Sequence, residues 1–333
     1  MIKEIDISGW REYTAASSNE SPFLHEQWLL LLSEQYKLRL IILGYFENEK
    51  LVSAIPFVEN KLFSGKTKLI SLPFTDYISY AEKLPDTFIL ELKDYVSSRD
   101  ISAELRSDVS YTDKSEAAFF RHFLKLDEGY NSIRHAYKKH NQRNIKKALK
   151  NGLSLKIAKD MDSLNEFYWL NVLTRKKHGL PTQPRSFFKN ICQRLFNNGL
   201  GFVASVYYKE KVIASAVFFI YKNTIIYKYG ASDSEKLYLR PNNFLFDEVI
   251  KYACEQHFKL FDFGICLKEN TGLERFKLGW GATEEEISYV LIDKNGFHTY
   301  NKKNYNKFFH FILKILPAPL NVLLGEIFYK FAI

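Results

Sequence analysis

Two charged side chains, Asp262 and Lys277, are candidates for acting on a substrate. Asp262 lies between Phe261 and Phe263 on an apolar run typical of a buried strand, so alternation would place both rings on one face and the carboxylate on the other. From there Asp262 could orient an attacking amine or accept its proton through water, or it could simply be bonded to neighbouring backbone amides. Lys277 could stabilise the oxyanion that forms when an amine attacks an ester or thioester carbonyl, or it could be a solvated helix lysine.

Four further polar side chains lie around the start of a predicted helix. Tyr227 and Tyr229 alternate along a strand pattern, which predicts that both phenols share one face, either toward a substrate or in the core. Arg240 and Asn242 flank Pro241, which suits the first helical turn because it lacks an N–H. Both side chains could contact a phosphate at the amino terminus of the helix, or they could cap the helix.

Familiar catalytic motifs are missing from the sequence. It contains no GxGxxG, no Walker loop, no HExxH and no GxSxG, which removes the usual support for dinucleotide enzymes, P-loop enzymes, zinc peptidases and standard hydrolases. The cysteines, Cys192, Cys254 and Cys266, form no CxxC pair, and the histidines show no ligand spacing. We therefore predict neither a disulfide framework nor a metal site.

The composition is that of an ordinary globular protein. The 333 residues are 46% hydrophobic and 26% charged, and this length favours two domains. The amino terminus is acidic where a signal peptide would be basic, and no stretch reaches the roughly 18 apolar residues that cross a bilayer. We therefore expect a cytoplasmic protein. The net charge is +9, and residues 134–150 contribute seven Lys or Arg and no acid.

The elements that would position these side chains recur in the same order in both halves of the chain. The first half predicts a hairpin, a helix and a short strand, at 38–46, 51–58, 86–97 and 101–105. The second half predicts a three-strand meander, a helix and a buried strand, at 202–208, 212–220, 225–230, 241–257 and 260–265. This repetition indicates a duplicated α/β unit, joined somewhere between residues 106 and 151.

The connection between the meander and the helix is where a donor site would be expected. Simple acyl-CoA N-acetyltransferases have the same order of elements, and a glycine-rich loop there holds the CoA pyrophosphate on backbone N–H groups. Here the connection, residues 232–243, contains no glycine, so the backbone cannot approach a pyrophosphate as closely. The architecture is acetyltransferase-like, whereas the donor pocket departs from that pattern.

Several motifs resemble those of the Fem-type acyltransferases, which comprise the FemAB and FemX peptidyltransferases and their exopolysaccharide-associated relatives. The most specific are YKYGASDSEKLYLRPNNFLFDEVI from Tyr227, FDFG from Phe261 and TGLERFKLGWGA from Thr271. PFLHEQW, LPFTDY and FYWLNVLTRKKHGLPTQP fit as well, so that the resemblance spans roughly residues 22–289. The closing LPAPLNVLLGEIFYK resembles tails of the exopolysaccharide-associated branch.

This resemblance implies an α/β (α+β) fold with two tandem GNAT-like (acyl-CoA N-acyltransferase) domains, whose mixed, mostly antiparallel sheets are flanked by helices. It implies acyl-CoA or aminoacyl-tRNA as co-substrate, with no tightly bound cofactor and no metal. Matching positions would place Asp76 and Tyr77 at the acceptor cleft and would make Lys277 a functionally important lysine. Arg175 matches a phosphate-contacting arginine, or else it is a helix-terminal cation. Trp28 is followed by leucines where classical members carry a phosphate-binding lysine, which weakens the case for a nucleotide-linked or lipid II acceptor.

Three segments are expected from these features. Residues 1–125 would form the first GNAT-like domain, and residues 126–300 the second, which includes the basic segment 134–150. Residues 301–333 would form an apolar and basic tail that packs on the first domain or lies at a membrane interface. The basic segment would be a solvated helix face, a tRNA contact or a patch for anionic lipid.

The expected function is N-acyl transfer, in which an acyl or aminoacyl group passes to an amine of a cell-envelope precursor, an amino sugar or a peptide. The acceptor would be a small or lipid-linked molecule, and the protein would be cytoplasmic or peripheral on the inner face of the cell membrane. Two alternatives stay open: a non-catalytic scaffold of an envelope polysaccharide pathway that retains the fold, and an aminoacyl-tRNA-dependent peptidoglycan peptidyltransferase. The glycine-free loop and the missing lysine favour the scaffold, whereas the intact FDFG and TGLERFKLGWG favour an enzyme.

Overall fold

The computed structural model describes residues 1–18, 21–61, 65–78, 84–107, 118–299 and 312–329. The first part of the chain contains, in order, β1 (Ile2–Ile5), α1 (Ile7–Ala16), α2 (Glu26–Tyr36), β2 (Arg39–Glu47), β3 (Lys50–Lys61), β4 (Thr67–Ile70), α3 (Asp86–Ser98) and β5 (Ser102–Ser107). It is followed by β6 (Phe119–Lys125) and by two basic helices, α4 (Gly129–Ala136) and α5 (Lys139–Lys150).

The rest of the chain repeats the pattern and adds further elements. They are β7 (Ser154–Ala158), α6 (Met161–Lys177), α7 (Arg185–Arg194), β8 (Gly201–Tyr208), β9 (Lys211–Tyr221), β10 (Thr224–Ser232), α8 (Pro241–Glu255), β11 (Leu260–Leu267), α9 (Thr271–Leu278), β12 (Thr283–Asp293), β13 (Gly296–Thr299) and α10 (Ala318–Phe328).

The described strands form one continuous sheet in the order β1-β2-β3-β4-β5-β12-β6-β11-β10-β9-β8-β7, with β13 beside β12. Each half contains an antiparallel meander, a helix and a strand that returns parallel to the last strand of the meander. The parallel pairs are β4 with β5 and β10 with β11, and the helices α3 and α8 make the long connections that parallel neighbours require. The expected fold class, α/β with mixed, mostly antiparallel sheets and a repeated unit, is confirmed.

β12 joins the two halves of the sheet. Its first residues, 283–287, pair with β6, and its later residues, 288–292, pair with β5. β6 in turn pairs with β11 on its other side. The domain limits at residues 125 and 300 stay a prediction, and β6, which ends at 125, lies among strands of the second half.

A β-bulge in β10 changes which way its side chains point. The register against β9 shifts between Tyr227 and Tyr229, which leaves Lys228 as the extra residue. The prediction that both phenols share one face is therefore wrong. Tyr227 packs against Phe246, with ring centroids 4.9 Å apart, whereas Tyr229 packs in a different hydrophobic cluster against Phe188, at 5.7 Å.

An aromatic-rich core connects the two halves of the chain. Trp28 of α2 is completely buried, and its indole N–H donates a hydrogen bond of 2.8 Å to the hydroxyl of Thr75. Its ring lies 5.6 Å from that of Phe23 and 5.4 Å from that of Phe219 on β9. Because one cluster contains side chains from both halves, neither half has an independent core on this side of the sheet.

The described part of the carboxyl-terminal tail, residues 312–329, packs on elements of both halves. α10 lies against α6, and Tyr329 stacks on Phe74 with ring centroids 5.2 Å apart. Residues 300–311 and 330–333 lie outside the described residues. Among the described helices, none combines the length and the apolar character needed to cross a membrane.

The shared core predicts that the two halves unfold together. Trp28→Ala should lower the free energy of unfolding by about 3–5 kcal/mol, because it removes a large buried ring and leaves the Thr75 hydroxyl without its donor. Trp169→Ala, at an indole that is 56% exposed on α6, is the matched control and should cost well under half as much. Chemical denaturation followed by circular dichroism checks both values. Two separate transitions, or equal costs for the two variants, would contradict the shared core.

Candidate functional site

The carboxylate of Asp262 on β11 lies at the centre of the candidate site and is 0% exposed. Its Oδ2 accepts a hydrogen bond of 2.8 Å from Nε of Arg121 and another from the hydroxyl of Tyr77. Its Oδ1 accepts the backbone N–H of Gly264 at 2.6 Å. A buried carboxylate without partners would be costly, and these three donors allow Asp262 to keep its charge. The expected bond to a neighbouring amide is present together with two side-chain partners.

A second bulge, in β11, brings Asp76 to the same place. The register of β11 against β6 shifts between Asp262 and Ile265, and Gly264 inside the bulge has φ of +68°, in the left-handed region that favours glycine. A Cβ at Gly264 would lie only 2.6 Å from Oδ2 of Asp76. The glycine of the FDFG motif therefore makes room for the carboxylate of Asp76.

Asp76 is the more accessible of the two carboxylates. Its Oδ1 accepts a hydrogen bond of 2.5 Å from Nζ of Lys228, the extra residue of the β10 bulge, and its backbone carbonyl accepts one from the hydroxyl of Tyr289. The Asp76 side chain is 21% exposed, whereas that of Lys228 is 5% exposed. Of the pair, the carboxylate is therefore the group that solvent reaches.

Lys277 on α9 is buried beside this pair of carboxylates. Its ammonium donates a hydrogen bond of 2.9 Å to the backbone carbonyl of Gly264, and the residue is 2% exposed. Burial lowers the pKa of Lys277, while the nearby charges of Asp76 and Asp262 act in the opposite direction. The interpretation of Lys277 as a solvated helix lysine is wrong, and its role in a reaction stays a prediction.

Sequence reasoning missed two cations of the site, Arg121 and Lys228. Burial by itself lowers the pKa of the Arg121 guanidinium, but the charge of Asp262 outweighs it and holds that pKa above its usual range. The Arg121 guanidinium also lies 4.9 Å from the ring centre of Tyr77. A basic residue flanked by aromatic residues within a strand, as in FFRHF and IIYKYG, is the signal that could have revealed both residues.

A cleft lies along β10, beyond the point where this strand stops pairing with β11. β10 and β11 pair only as far as Ile226 and Asp262 and then diverge. The cleft has a volume of about 500 Å³, and its walls come from β9, β10, the end of α6 and the first turns of α8 and α9. Of the predicted binding residues, Tyr227 and Asn242 line it.

Tyr227 connects the cleft to the charged cluster. Its side chain lines the cleft, while its backbone carbonyl lies 3.3 Å from the position that a Cβ on Gly264 would occupy. Its hydroxyl occupies the space above Gly230, where a Cβ would lie 2.0 Å away. Burial, assisted by the charge of Asp76, raises the pKa of Tyr227 to about 12, so the phenol is protonated at neutral pH and can donate a hydrogen bond.

The glycine-free connection before α8 forms a 3₁₀ turn. The turn spans Ser234–Leu239, and its amides are bonded internally: the carboxylate of Asp233 accepts from the N–H of Glu235, and the carbonyl of Leu237 accepts from that of Arg240. Arg240 adopts φ of +64°, its side chain is exposed and makes no capping bond, and α8 starts at Pro241. The backbone here does not form a glycine-rich phosphate cradle.

Among the predicted binding residues, Arg175, Tyr229 and Arg240 do not line the cleft. Nε of Arg175 donates a hydrogen bond of 3.0 Å to the carbonyl of Pro181, which is the contact expected of a cation that ends a helix. Tyr229 is packed among aromatic rings of the core. Asp76, Tyr77, Asp262 and Lys277 lie close together, and their roles in a reaction stay predictions. Within the described residues, no group of His, Cys, Asp or Glu could hold a metal ion.

Comparison with known proteins agrees with this geometry. Residues 135–278 match the family model described as an acetyltransferase (GNAT) domain. That range contains β10, the divergence of β10 from β11, α8, α9 and the cleft. The chain therefore has the fold of an acyltransferase of the GNAT type, and its first half repeats the same unit.

Among solved structures, the chain is similar to FemX, with a TM-score of 0.67 and 13% identity over 94% of this chain and 100% of the other. It is also similar to L-PGS from Bacillus licheniformis, with a TM-score of 0.54 and 13% identity over 97% and 98% of the two chains. A tandem GNAT protein from the clavulanic acid biosynthesis pathway gives a TM-score of 0.52 and 9% identity over 91% and 99%. No curated protein matches the chain. The expected resemblance to the Fem type is confirmed at the level of the fold, and the exopolysaccharide-associated branch stays a prediction.

The contact between Gly264 and Asp76 predicts a large cost for a single methyl group. Gly264→Ala should destabilise the protein by about 1–2 kcal/mol for its left-handed backbone and by roughly 1–3 kcal/mol more for the clash with Asp76. Gly152→Ala is a matched control, since Gly152 has φ of +69° and no atom within 4 Å of the added Cβ. Urea unfolding of both variants measures the difference. Equal costs would show that Asp76 does not occupy this position.

Proposed function

We propose that this protein is an N-acyltransferase that transfers an acyl or aminoacyl group to an amine of a cell-envelope precursor, an amino sugar or a peptide. The observation that carries the proposal is the position of the cleft, which lies along β10 beyond its pairing with β11 and is connected to the charged cluster through Tyr227. The GNAT family match and the tandem fold support it. The cleft would hold the activated acyl group, and the charged cluster would meet the amine.

Asp76 is the residue proposed to bind the acceptor. An amine is protonated at neutral pH, so a carboxylate that solvent reaches is the natural partner for it. Asp76 offers such a carboxylate, whereas Asp262 is closed off and bonded to Tyr77 and Arg121. After the ammonium loses its proton, the free amine lies beside the end of the cleft, as direct attack on a carbonyl requires.

The transfer step itself needs little more than positioning and charge. The amine nitrogen forms a bond to the carbonyl carbon, the C–O or C–S bond of the donor breaks, and the leaving oxygen or sulfur takes up the proton that the nitrogen gives up. Negative charge develops on the carbonyl oxygen in between. Three cations, Lys228, Arg121 and Lys277, lie around the carboxylates of Asp76 and Asp262, and their positive charge would favour that oxyanion.

Lys277 and Asp262 are proposed to act at different distances from the substrate. The ammonium of Lys277 is bonded to the carbonyl of Gly264, so it would act on the oxyanion through its charge and would fix the bulge that seats Asp76. Asp262 would hold Tyr77 and Arg121 in place. Tyr227 and Asn242, which line the cleft, would contact the donor, and roles for Arg240, Arg175 and Tyr229 in phosphate or substrate binding stay predictions.

For the donor, the structure favours an aminoacyl ester of tRNA over acyl-CoA. The amides of the 3₁₀ turn before α8 are bonded within the turn, so a CoA pyrophosphate would find few backbone donors there. The basic helix α5 offers a surface for an RNA backbone: Lys139, Arg143, Lys146, Lys147 and Lys150 follow one another without an acid. Acyl-CoA is the second candidate, which the GNAT family match supports.

A turnover assay tests the function directly. The full chain is incubated with aminoacyl-tRNA or with acetyl-CoA, together with an amino sugar or a peptide that carries a free amine, and the acylated acceptor is measured by mass spectrometry. An amide product from either donor supports the proposal. The absence of product from both donors with both acceptors would overturn it in favour of a scaffold that retains the fold.

In the same assay, Asp76→Asn should reduce kcat/KM for the acceptor by about 100-fold or more, because the amide cannot hold the ammonium or take its proton. The substitution keeps the shape of the side chain but removes the counter-charge of the buried Lys228, so the melting temperature should fall and activity is compared well below it. Asp100→Asn is the matched control, since Asp100 is a surface carboxylate that is likewise paired with a lysine. Full activity of the Asp76 variant would refute its assignment as the acceptor site.

A further inference from the structure

The last described helix, α10, packs on the protein with Asn321, Gly325 and the half-buried Val322, and it exposes three large apolar side chains. Asn321 is completely buried, and its Oδ1 accepts bonds of 3.0 Å from both the backbone N–H and the hydroxyl of Thr182. On the other side of the helix, Leu320, Leu323 and Ile327 are 46, 53 and 49% exposed. A helix that merely covered a soluble core would have the opposite arrangement.

Close contacts fix this orientation. Gly325 approaches the backbone so tightly that a Cβ would lie 1.9 Å from the carbonyl of Thr182. One helical turn earlier, the side-chain amide of Asn321 donates to the carbonyl of Leu180 at 3.3 Å. Rotation of α10 that buried its leucines would break these bonds and push larger side chains against Thr182. The exposed leucines are therefore a consequence of how the helix is anchored.

The neighbouring helix α6 continues the apolar surface. Trp169 and Leu173, four residues apart and hence on one helical face, are 56 and 55% exposed. α6 packs against α10, and Leu173 lines the same depression as Lys314, which lies just before α10. We call the exposed side chains of α6 and α10 together the apolar ridge; it consists of Trp169, Leu173, Leu320, Leu323 and Ile327.

Three lysines lie close to Leu173 of the apolar ridge. Lys176, Lys177 and Lys314 line the depression beside Leu173, opposite Asp233 and Glu235. Exposed leucines and a tryptophan next to lysines form the combination by which peripheral proteins insert into the headgroup region of a bilayer that contains anionic lipid.

We propose that the apolar ridge and its lysines dock this protein onto a membrane surface that contains anionic phospholipid. The depression lined by the lysines shares Thr174 and Ser232 with the cleft, so docking there would direct the mouth of the cleft toward the bilayer. Binding to lipid does not require the transfer reaction, and its failure would leave the proposed function standing.

Flotation of the purified full chain with vesicles tests the proposal. Vesicles of equal parts phosphatidylcholine and phosphatidylglycerol should carry the wild-type protein upward, and vesicles of phosphatidylcholine alone should carry much less. The variant with Leu320→Ser and Leu323→Ser should lower the bound fraction about tenfold, because it removes two apolar anchors. Leu90→Ser is the matched control at a leucine that is 57% exposed on α3, against the other half of the sheet, and it should bind as the wild type does.

The charge component has its own pair of variants. Replacing Lys176, Lys177 and Lys314 by glutamine should remove the preference for phosphatidylglycerol, whereas the same change at Lys146, Lys147 and Lys150 of α5 should retain it. Loss of binding only in the α5 variant would move the lipid contact to the basic helix and overturn the proposal. It is equally overturned if the wild type does not float, or if the leucine variant floats normally and changes only the oligomeric state in analytical ultracentrifugation.

Discussion

The buried charge of Asp262 is the constraint on which the rest of the site depends. A carboxylate with no access to water must be compensated where it lies, and its donors come from separate parts of the chain. Tyr77 belongs to the first half, Arg121 to the strand between the halves, and Gly264 to the bulge two residues beyond Asp262. Folding can satisfy the carboxylate only by bringing the two halves together, so the site exists only in the complete fold.

The pairing of β12 with strands of both halves also holds the two halves together. β12 pairs with β5 at one end and β6 at the other, and Trp28 and Phe219 share one core, so the halves are held in a fixed relation. That rigidity matters for amide formation, which requires the amine and the carbonyl to meet at about 3 Å. In the proposed mechanism the first half contributes Asp76 and the second half contributes the cleft. Asp76 contacts the second half at the bulges of Lys228 and Gly264.

Periodicity in the sequence predicted the regular elements well, because each half alternates apolar strands with polar turns. The meander of the second half and the helix at Pro241 begin within a residue or two of their predicted positions. The bulges could not be predicted in this way, since one extra residue at Lys228 reverses the face of every later side chain. Asp76, Tyr77 and Lys277 were singled out by motif resemblance and Asp262 by its place in a strand pattern, and neither predicted that the four lie together. Arg121, the partner of Asp262, was missed because a single arginine in a strand does not form a motif with a recognisable spacing.

The glycine-free turn before α8 is the feature that bears most on the choice of donor. Its amides are bonded within the turn, so it offers few of the backbone donors that a glycine-rich loop gives to a pyrophosphate. The most direct test is calorimetric titration with a short acceptor-stem RNA that carries an amide-linked amino acid. Wild-type protein should bind it in the micromolar range, roughly −8 kcal/mol. Gly272→Trp, which fills the cleft from the open first turn of α9, should abolish that binding. Equal affinity of both proteins, or no binding by the wild type, would contradict the assignment of this cleft to an aminoacyl donor.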